Sequence, residues 1–387
     1  MIGVMTSIVS CYKSLTMVLL VVLLACVGQL ASPAAAAAGG GEVHLVPAVY
    51  VFGDSTVDVG NNQYLPGNSA LQLPYGIDFP HSRPTGRFSN GYNVADFVAK
   101  LLGFKRSPPA YLSLTPRTSL QLRRGLRGAN YASGGSGILD TTGNTITLTK
   151  QIEYFAATKS KMVAAAGAGG GGQGSLSVDE LLSKSLFLIS DGGNDMFAFL
   201  QRNGTASQAA SLYADLLSNY TRHVRALHGL GARRFGIVDV PPLGCVPSVR
   251  VTSPDGESRC VDGANALARG FNDALRALLA NLTASGALPG ARYSVGSSYN
   301  VVAYFTANPG AAGFTEVARA CCGGGRLNAQ TGCTPNATYC ANREQYLFWD
   351  GVHGTQATSR KGAVAIFSAP PQMGFAAPIN FKQLVSS

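Results

Sequence analysis

Charged side chains are scarce in this sequence. Only 13% of its 387 residues are Asp, Glu, Lys or Arg, although Lys and Arg outnumber Asp and Glu by 30 to 20, which gives a formal net charge of +10. The longest basic cluster, residues 117–127, lacks the dense basic stripe with interleaved aromatics that is typical of nucleic-acid-binding proteins. We therefore expect no nucleic-acid partner. The low charged fraction predicts a lightly charged surface. The basic excess predicts a solvated basic surface, with weak attraction to an acidic wall polymer or a membrane surface as the alternative.

Long hydrophobic runs are also absent after the N-terminal region. There, Lys13 precedes an apolar run from Leu15 to Val27, and small residues follow from Ala31 to Ala38. A basic start, a short apolar core and small residues together indicate a secretory signal peptide, and the run is shorter than the ~20 residues that span a bilayer. We predict a signal peptide at 1–38, cleaved between 31 and 41, and a secreted, extracellular protein without a stable membrane span. An uncleaved anchor is the alternative.

The paired C-x-x-C spacing of many zinc sites is missing as well. Two of the eight cysteines, Cys11 and Cys26, would leave with the signal peptide. The six that remain are Cys245, Cys260, Cys321, Cys322, Cys333 and Cys340. An even number in a secreted chain favours disulfides over metal binding, so we predict one pair between the first two and two pairs among the last four, in an order that the spacing leaves open.

Four N-x-S/T sequons are candidate glycosylation sites: Asn203, Asn219, Asn281 and Asn336.

Short apolar runs alternate with amphipathic segments along the rest of the chain. The predicted strands are 48–52, 185–189, 233–240 and 293–299, with a weak edge strand at 145–148. The predicted helices are 92–102, capped by Ser89 and Asn90, 148–162, 205–229, 263–282 and 355–368. This alternation favours an α/β fold with a mainly parallel sheet flanked by helices. We predict one domain at 45–387, a loop at 57–80 over the active face, and a Gly/Ala-rich surface loop at 164–174.

Ser55 follows the first predicted strand, after the strand-breaking residues Gly53 and Asp54. Open α/β sheets bind ligands at the carboxyl ends of their strands, so this serine is placed to be a nucleophile. A serine nucleophile needs a base, and the base needs a group that orients it. His353 has a carboxylate at close range, because Asp350 lies three residues earlier and the two side chains can meet on a turn. We predict that Asp350 orients His353 and leaves its other ring nitrogen free for Ser55.

Acyl transfer also places negative charge on an oxygen atom, which must face preorganised N–H donors. The Gly-rich stretch at 130–137 can supply backbone N–H groups, and Asn194, at the end of the second predicted strand, can supply a side-chain amide.

Six blocks of sequence resemble, in order, those of the GDSL esterase/lipases of plants, within the SGNH hydrolase superfamily. The blocks are residues 52–62, 83–91, 130–138, 192–196, 240–245 and 348–353, and the resemblance runs from about residue 48 to 370. Two departures are that Thr56 replaces the leucine of the family name and that Gly354 stands where many members have proline. The G-x-S-x-G elbow of α/β-hydrolase lipases is absent, which favours this family and predicts a more open site.

The resemblance implies roles for individual residues. Ser55 matches the nucleophile, His353 the base and Asp350 its orienting acid. Gly134, with Gly135 next to it, matches one oxyanion residue, and Asn194 matches the other. The resemblance also implies a flavodoxin-like three-layer α/β/α sandwich, with no metal and no organic cofactor.

These features together predict a secreted serine esterase or lipase of the apoplast or cell wall, which hydrolyses acyl esters through an acyl-enzyme. The alternatives are a carbohydrate acetyl esterase or an acyltransferase that acts on cell-wall polymers, and, from another class, a non-catalytic binding protein on a hydrolase scaffold. The predicted partners are an ester or lipid substrate and, as a further candidate, a cell-wall polysaccharide. The natural acyl chain and the oligomeric state stay open.

Overall fold

The structure is a computed structural model, and the residues described here are 44–65, 71–119, 122, 127–167 and 176–386. The predicted signal peptide lies outside these residues, as does the predicted loop at 164–174 from residue 168 onward. Within the described residues, no helix is both long and apolar enough to cross a membrane.

A parallel sheet with one antiparallel edge forms the centre of the protein. The strands in chain order are β1 (Val49–Gly53), β2 (Leu186–Ser190), β3 (Arg234–Val238), β4 (Arg292–Gly296), β5 (Glu316–Ala320), β6 (Cys322–Gly323), β7 (Thr338–Tyr339), β8 (Tyr346–Phe348) and β9 (Ala376–Ala377). The sheet order is β1-β2-β3-β4-β9, and only the β4–β9 pair is antiparallel. Two small pairs, β5–β8 and β6–β7, lie apart from this sheet. The predicted α/β class with a mainly parallel sheet is confirmed.

An extended segment at 127–133 continues the sheet on the free side of β1. The N–H of Val49 donates to the carbonyl of Arg127 at 3.2 Å, and the N–H of Tyr131 donates to the carbonyl of Val51 at 2.8 Å. If this segment is counted as the second strand along the chain, the order becomes 2-1-3-4-5, the doubly wound arrangement of flavodoxin-like proteins. The winding direction reverses at β1. The carboxyl end of β1 is therefore the place where such a sheet opens a crevice.

Helices cover both faces of the sheet. In chain order they are α1 (Val94–Leu101), α2 (Leu148–Ala165), α3 (Val178–Lys184), α4 (Gly193–Gln201), α5 (Ala209–Gly229), α6 (Pro247–Arg250), α7 (Asp262–Ala284), α8 (Ser298–Ala307), α9 (Pro309–Ala312), α10 (Gln356–Ser368) and α11 (Phe381–Val385). Side chains alternate along β1, so Tyr50 and Phe52 belong to the core on the side of α2, α3, α5 and α7, whereas Val49 and Val51 belong to the core on the side of α1, α8, α10 and α11. The result is a three-layer sandwich with a core on each side of the sheet.

Some predicted elements differ from the observed ones. The predicted edge strand at 145–148 is wrong, because Thr147 caps α2 and Leu148 is its first residue. α2 also continues to Ala165, into the start of the predicted Gly/Ala-rich loop. The predicted cap at Ser89 and Asn90 is wrong as well. Asn93 caps α1 in a reciprocal box with Asp96, a pattern that satisfies two otherwise free N–H groups.

Three disulfides join the cysteines of the predicted secreted chain: Cys245–Cys260, Cys321–Cys340 and Cys322–Cys333. The first confirms the predicted pair, and the others settle the order among the last four. Trp349 is fully buried against Cys321 and Cys322. The N–H of Cys322 donates to the carbonyl of Trp349 at 2.7 Å. The cross-linked segment thus fixes the backbone immediately before Asp350.

Candidate active site

A sharp turn after β1 presents Ser55. Gly53 has a φ of 131°, and a Cβ atom at this position would overlap the carbonyl oxygen of Ser190 on β2, so only glycine fits here without strain. The side-chain carboxylate of Asp54 accepts the N–H of Thr56 at 2.8 Å, and the backbone carbonyl of Asp54 accepts the N–H of Asp58 at 3.0 Å. The turn leaves Ser55 half-buried at the carboxyl edge of the sheet.

The structure brings Ser55, His353 and Asp350 into one hydrogen-bonded chain. Nε2 of His353 lies 2.8 Å from Oγ of Ser55, although the residues are 298 positions apart. Nδ1 of the same ring lies 2.8 Å from Oδ2 of Asp350. Oδ1 of Asp350 accepts the backbone N–H groups of Val352 and His353 at 2.8 and 2.7 Å. The three-residue spacing therefore forms the predicted turn, with one ring nitrogen directed at each partner.

Opposing effects set the pKa values of the histidine and the aspartate. Burial disfavours the charged imidazole, but the charge of Asp350, its hydrogen bond and the charge of Asp54 together raise the pKa of His353 above 6.5. Burial likewise disfavours the charged carboxylate, but the charge and hydrogen bonds of His353 hold the pKa of Asp350 below its usual value. The carboxylate is therefore available as an acceptor while the imidazole accepts a proton.

Tyr75 is a contact of this site that the sequence did not reveal. Its hydroxyl donates to Oδ2 of Asp350 at 2.7 Å. Burial, followed by the charge of Asp350, raises the pKa of Tyr75, so the phenol keeps its proton. Its ring packs edge-on against Trp349 and Phe88, with centroid distances of 6.2 and 6.5 Å. The only sequence signal was its place in the predicted loop over the active face.

Asn194 lies at the start of α4, immediately after the carboxyl end of β2. Its amide nitrogen donates to the carbonyl oxygen of Ser136 at 2.8 Å. A side-chain amide carries two hydrogens, so this bond fixes the amide orientation and uses one of them. Asn194 and Ser55 both line the same pocket.

Gly134 has a different environment. Its N–H donates to Oδ2 of Asp58 at 3.0 Å, and the other oxygen of Asp58 accepts the N–H groups of Gly60 and Asn61 at 2.7 and 2.9 Å. Burial raises the pKa of Asp58 to about 6 despite these bonds. A Cβ at Gly134 would overlap the ring of Phe88, whose centroid is 5.2 Å from that of the His353 ring. Gly134 therefore gives Phe88 room beside the histidine, and its N–H is already bonded to a carboxylate.

A pocket of about 150 Å³ opens beside Ser55 and runs along the carboxyl edge of β2 and β3. Its polar lining includes Ser55, His353 and Asn194, together with the buried carboxyl groups of Asp54, Asp191 and Asp239. Most of the lining surface is nevertheless apolar, and its aliphatic and aromatic side chains include Phe88, Phe197 and residues of α8 and α10. Such a mostly apolar cleft with a few polar groups is the usual form of a small-molecule site.

Comparison with known proteins gives the family. Residues 49–366 match the family model for the GDSL-like Lipase/Acylhydrolase. GDSL esterase/lipase At1g71250 of Arabidopsis thaliana is 38% identical over 349 residues, which cover 88% of this chain and 89% of that protein. GDSL esterase/lipase At5g55050 of the same plant is 35% identical over 362 residues, covering 90% and 92%. This chain therefore belongs to the GDSL-like lipase/acylhydrolase family and is an esterase/lipase, a hydrolase that acts on esters.

Proposed function

We propose that Ser55 attacks the carbonyl carbon of an acyl ester and that His353, oriented by Asp350, removes the hydroxyl proton. The observation that carries this proposal is the continuous chain of 2.8 Å contacts from Ser55 through the ring to Asp350. The resulting imidazolium gives its proton to the departing alcohol, which leaves the acyl group on Ser55. A water molecule, deprotonated by the same ring, then releases the acid and restores the serine.

Two N–H donors support the developing oxyanion in this proposal: the amide of Asn194, through its second hydrogen, and the backbone N–H of Ser55. Gly134 was predicted as a further donor. Its bond to Asp58 means that its N–H would have to leave a carboxylate to reach the oxyanion. We therefore assign the oxyanion to Asn194 and Ser55, and we assign Gly134 the role of admitting Phe88 beside the base.

We propose that the protein is secreted. The three disulfides support this location, because such bonds persist in oxidising compartments. Three of the four sequon asparagines, Asn203, Asn281 and Asn336, are exposed, as glycan attachment requires. Cleavage of the N-terminal segment and glycosylation are both visible in the mass of the protein recovered from the culture medium of a plant expression host.

The test of the catalytic proposal is hydrolysis of p-nitrophenyl esters, from acetate to palmitate, by the wild type and by Ser55→Ala. We expect turnover that Ser55→Ala abolishes while circular dichroism shows an unchanged fold. Turnover that survives in Ser55→Ala would show that another group is the nucleophile. A folded wild type that cleaves no ester in the series would contradict acyl-ester hydrolysis and favour a non-catalytic binding protein.

A further inference from the structure

We propose that the pocket beside Ser55 holds the acyl chain of the ester, that it accepts up to about six carbons, and that Gly362 on α10 sets this limit. This inference rests on the proposed role of Ser55 and adds a substrate class to it: esters of short and medium-length acids.

The lining of the pocket favours an alkyl chain. Val301 of α8 and Ile366 and Ala363 of α10 each expose 3% or less of their surface and line the pocket. Aliphatic walls favour apolar chains because each buried methylene adds about 0.8 kcal/mol, or about fourfold in binding. In another protein, a cavity of about 150 Å³ lined by such residues holds one benzene ring, which has six carbons. The volume at this site is also about 150 Å³.

The order of the chemical steps favours the acyl group over the alcohol as the occupant. The acyl group stays bonded to Ser55 between the two half-reactions, whereas the alcohol leaves and water takes its place next to His353. A mostly apolar pocket suits the part that stays. The departing alcohol and the incoming water need the open, polar side of the site.

Gly362 lies where a side chain would shorten the pocket. It is buried in the interior of α10, and a Cβ built on it would point at Cγ1 of Val301 on α8, 3.5 Å away. Glycine inside a helix is less favourable than alanine, and the backbone here needs no positive φ, so neither helix formation nor a turn calls for a glycine. At this position the glycine leaves space between α8 and α10, next to the pocket that it lines.

The experiment measures kcat/KM on p-nitrophenyl esters of two to sixteen acyl carbons for the wild type, Gly362→Leu, Ile366→Ala and Val364→Ala. In the wild type we expect kcat/KM to rise about fourfold per methylene up to about six carbons and then to fall. Gly362→Leu should lower the ratio of kcat/KM for hexanoate to that for acetate by at least about tenfold, since two or more methylenes lose their burial. Ile366→Ala should move the optimum to longer chains. Val364, on the same helix but 46% exposed, supplies the control, whose profile should match the wild type.

A second series separates the two parts of the substrate. Acetate esters of alcohols with one to eight carbons should respond alike in the wild type and Gly362→Leu. The inference would be wrong if Gly362→Leu changed the alcohol preference instead. It would also be wrong if neither Gly362→Leu nor Ile366→Ala changed the acyl profile. In both cases Ser55-dependent turnover would persist, so the proposed function would stand. If Gly362→Leu failed to fold, Gly362→Ala, whose methyl meets Val301 at ordinary contact distance, would be measured with Ile366→Ala. If the wild type itself showed no Ser55-dependent turnover on any ester, the proposed function would be refuted instead.

Discussion

The hydroxyl of Tyr75 donates a hydrogen bond to Oδ2 of Asp350 at 2.7 Å, the same oxygen that faces Nδ1 of His353. The aspartate therefore receives the base on one side and a phenol from a loop 275 residues away on the other. Two donors on one carboxylate oxygen restrict its rotation. The hydrogen bond from Tyr75 also stabilises the negative charge of Asp350, which weakens the attraction of this carboxylate for the proton on His353.

Tyr75→Phe keeps the ring that packs against Trp349 and removes only the hydroxyl. We expect kcat/KM to fall about tenfold, because a hydrogen bond to a charged group contributes ~1.5 kcal/mol. We also expect the acid limb of the pH profile to move to higher pH, because the carboxylate then holds the His353 proton more tightly. The matched control is Tyr213→Phe, which loses a 2.7 Å bond to the carbonyl of Leu267, because neither residue lines the pocket at Ser55. If both variants had the wild-type rate and profile, the Tyr75 contact would have no part in catalysis.

The pH dependence of the wild type follows from the raised pKa of His353. The ring must be neutral to take the serine proton, so activity is lost as pH falls through this pKa. Since Asp350 and Asp54 raise it above 6.5, the midpoint of the acid limb of kcat/KM should lie above pH 6.5. Asp350→Asn removes the main group that raises the pKa of His353. We expect its kcat to fall by about 10⁴ and the acid limb of its residual activity to lie at lower pH than in the wild type. A wild-type limb well below pH 6.5 would contradict the geometry of the pair.

Asn194→Ala tests the oxyanion assignment. Removing one donor of this kind costs about 10²–10³ in kcat, and we expect that loss with little change in KM, because the charge exists only in the transition state. Asn300→Ala is the control: it also loses a 2.8 Å bond from an amide to a carbonyl, that of Gly374, and should keep the wild-type kcat. A near-normal kcat in Asn194→Ala would remove this residue from the mechanism.

Stability should depend on the pair between Arg87 and Asp96. The guanidinium makes two bonds to the carboxylate, at 2.7 and 2.8 Å, with the side chains 6% and 0% exposed. Arg87→Ala leaves Asp96 buried without its cation, which typically costs about 3–5 kcal/mol. Arg360→Ala breaks an ion pair with Glu344 that is about half exposed and should cost at most about 1 kcal/mol. Urea denaturation of both variants measures the difference, and equal losses would contradict it.

The parts of the site that could be predicted from the sequence are those with local causes. The strand before Ser55 shows as an apolar run ended by strand-breaking residues, and the spacing of Asp350 and His353 allows the two side chains to meet on a turn. Contacts between distant loops leave no such signal. The bond between Tyr75 and Asp350 and the bond between Asp58 and Gly134 depend on tertiary packing, and neither followed from periodicity or spacing.

The predicted cap of α1 is wrong for a related reason. Ser89 and Asn90 are suitable capping types, but the side chain of Asn90 donates to Asp78 at 2.6 Å and accepts the N–H of Gln356 at 2.8 Å. Asn93 caps the helix instead. Tertiary hydrogen bonds thus decided between two candidates that the local sequence did not distinguish.

The most direct test of the central claim is covalent labelling by an alkyl fluorophosphonate, which reacts with a serine only when that serine is activated as a nucleophile. Mass spectrometry of the digested protein should find a single adduct on Ser55, and esterase activity should fall in proportion to it. His353→Ala, which keeps Ser55 but removes its base, should take up the probe far more slowly. An adduct on another serine, or equal labelling of the wild type and His353→Ala, would contradict the account.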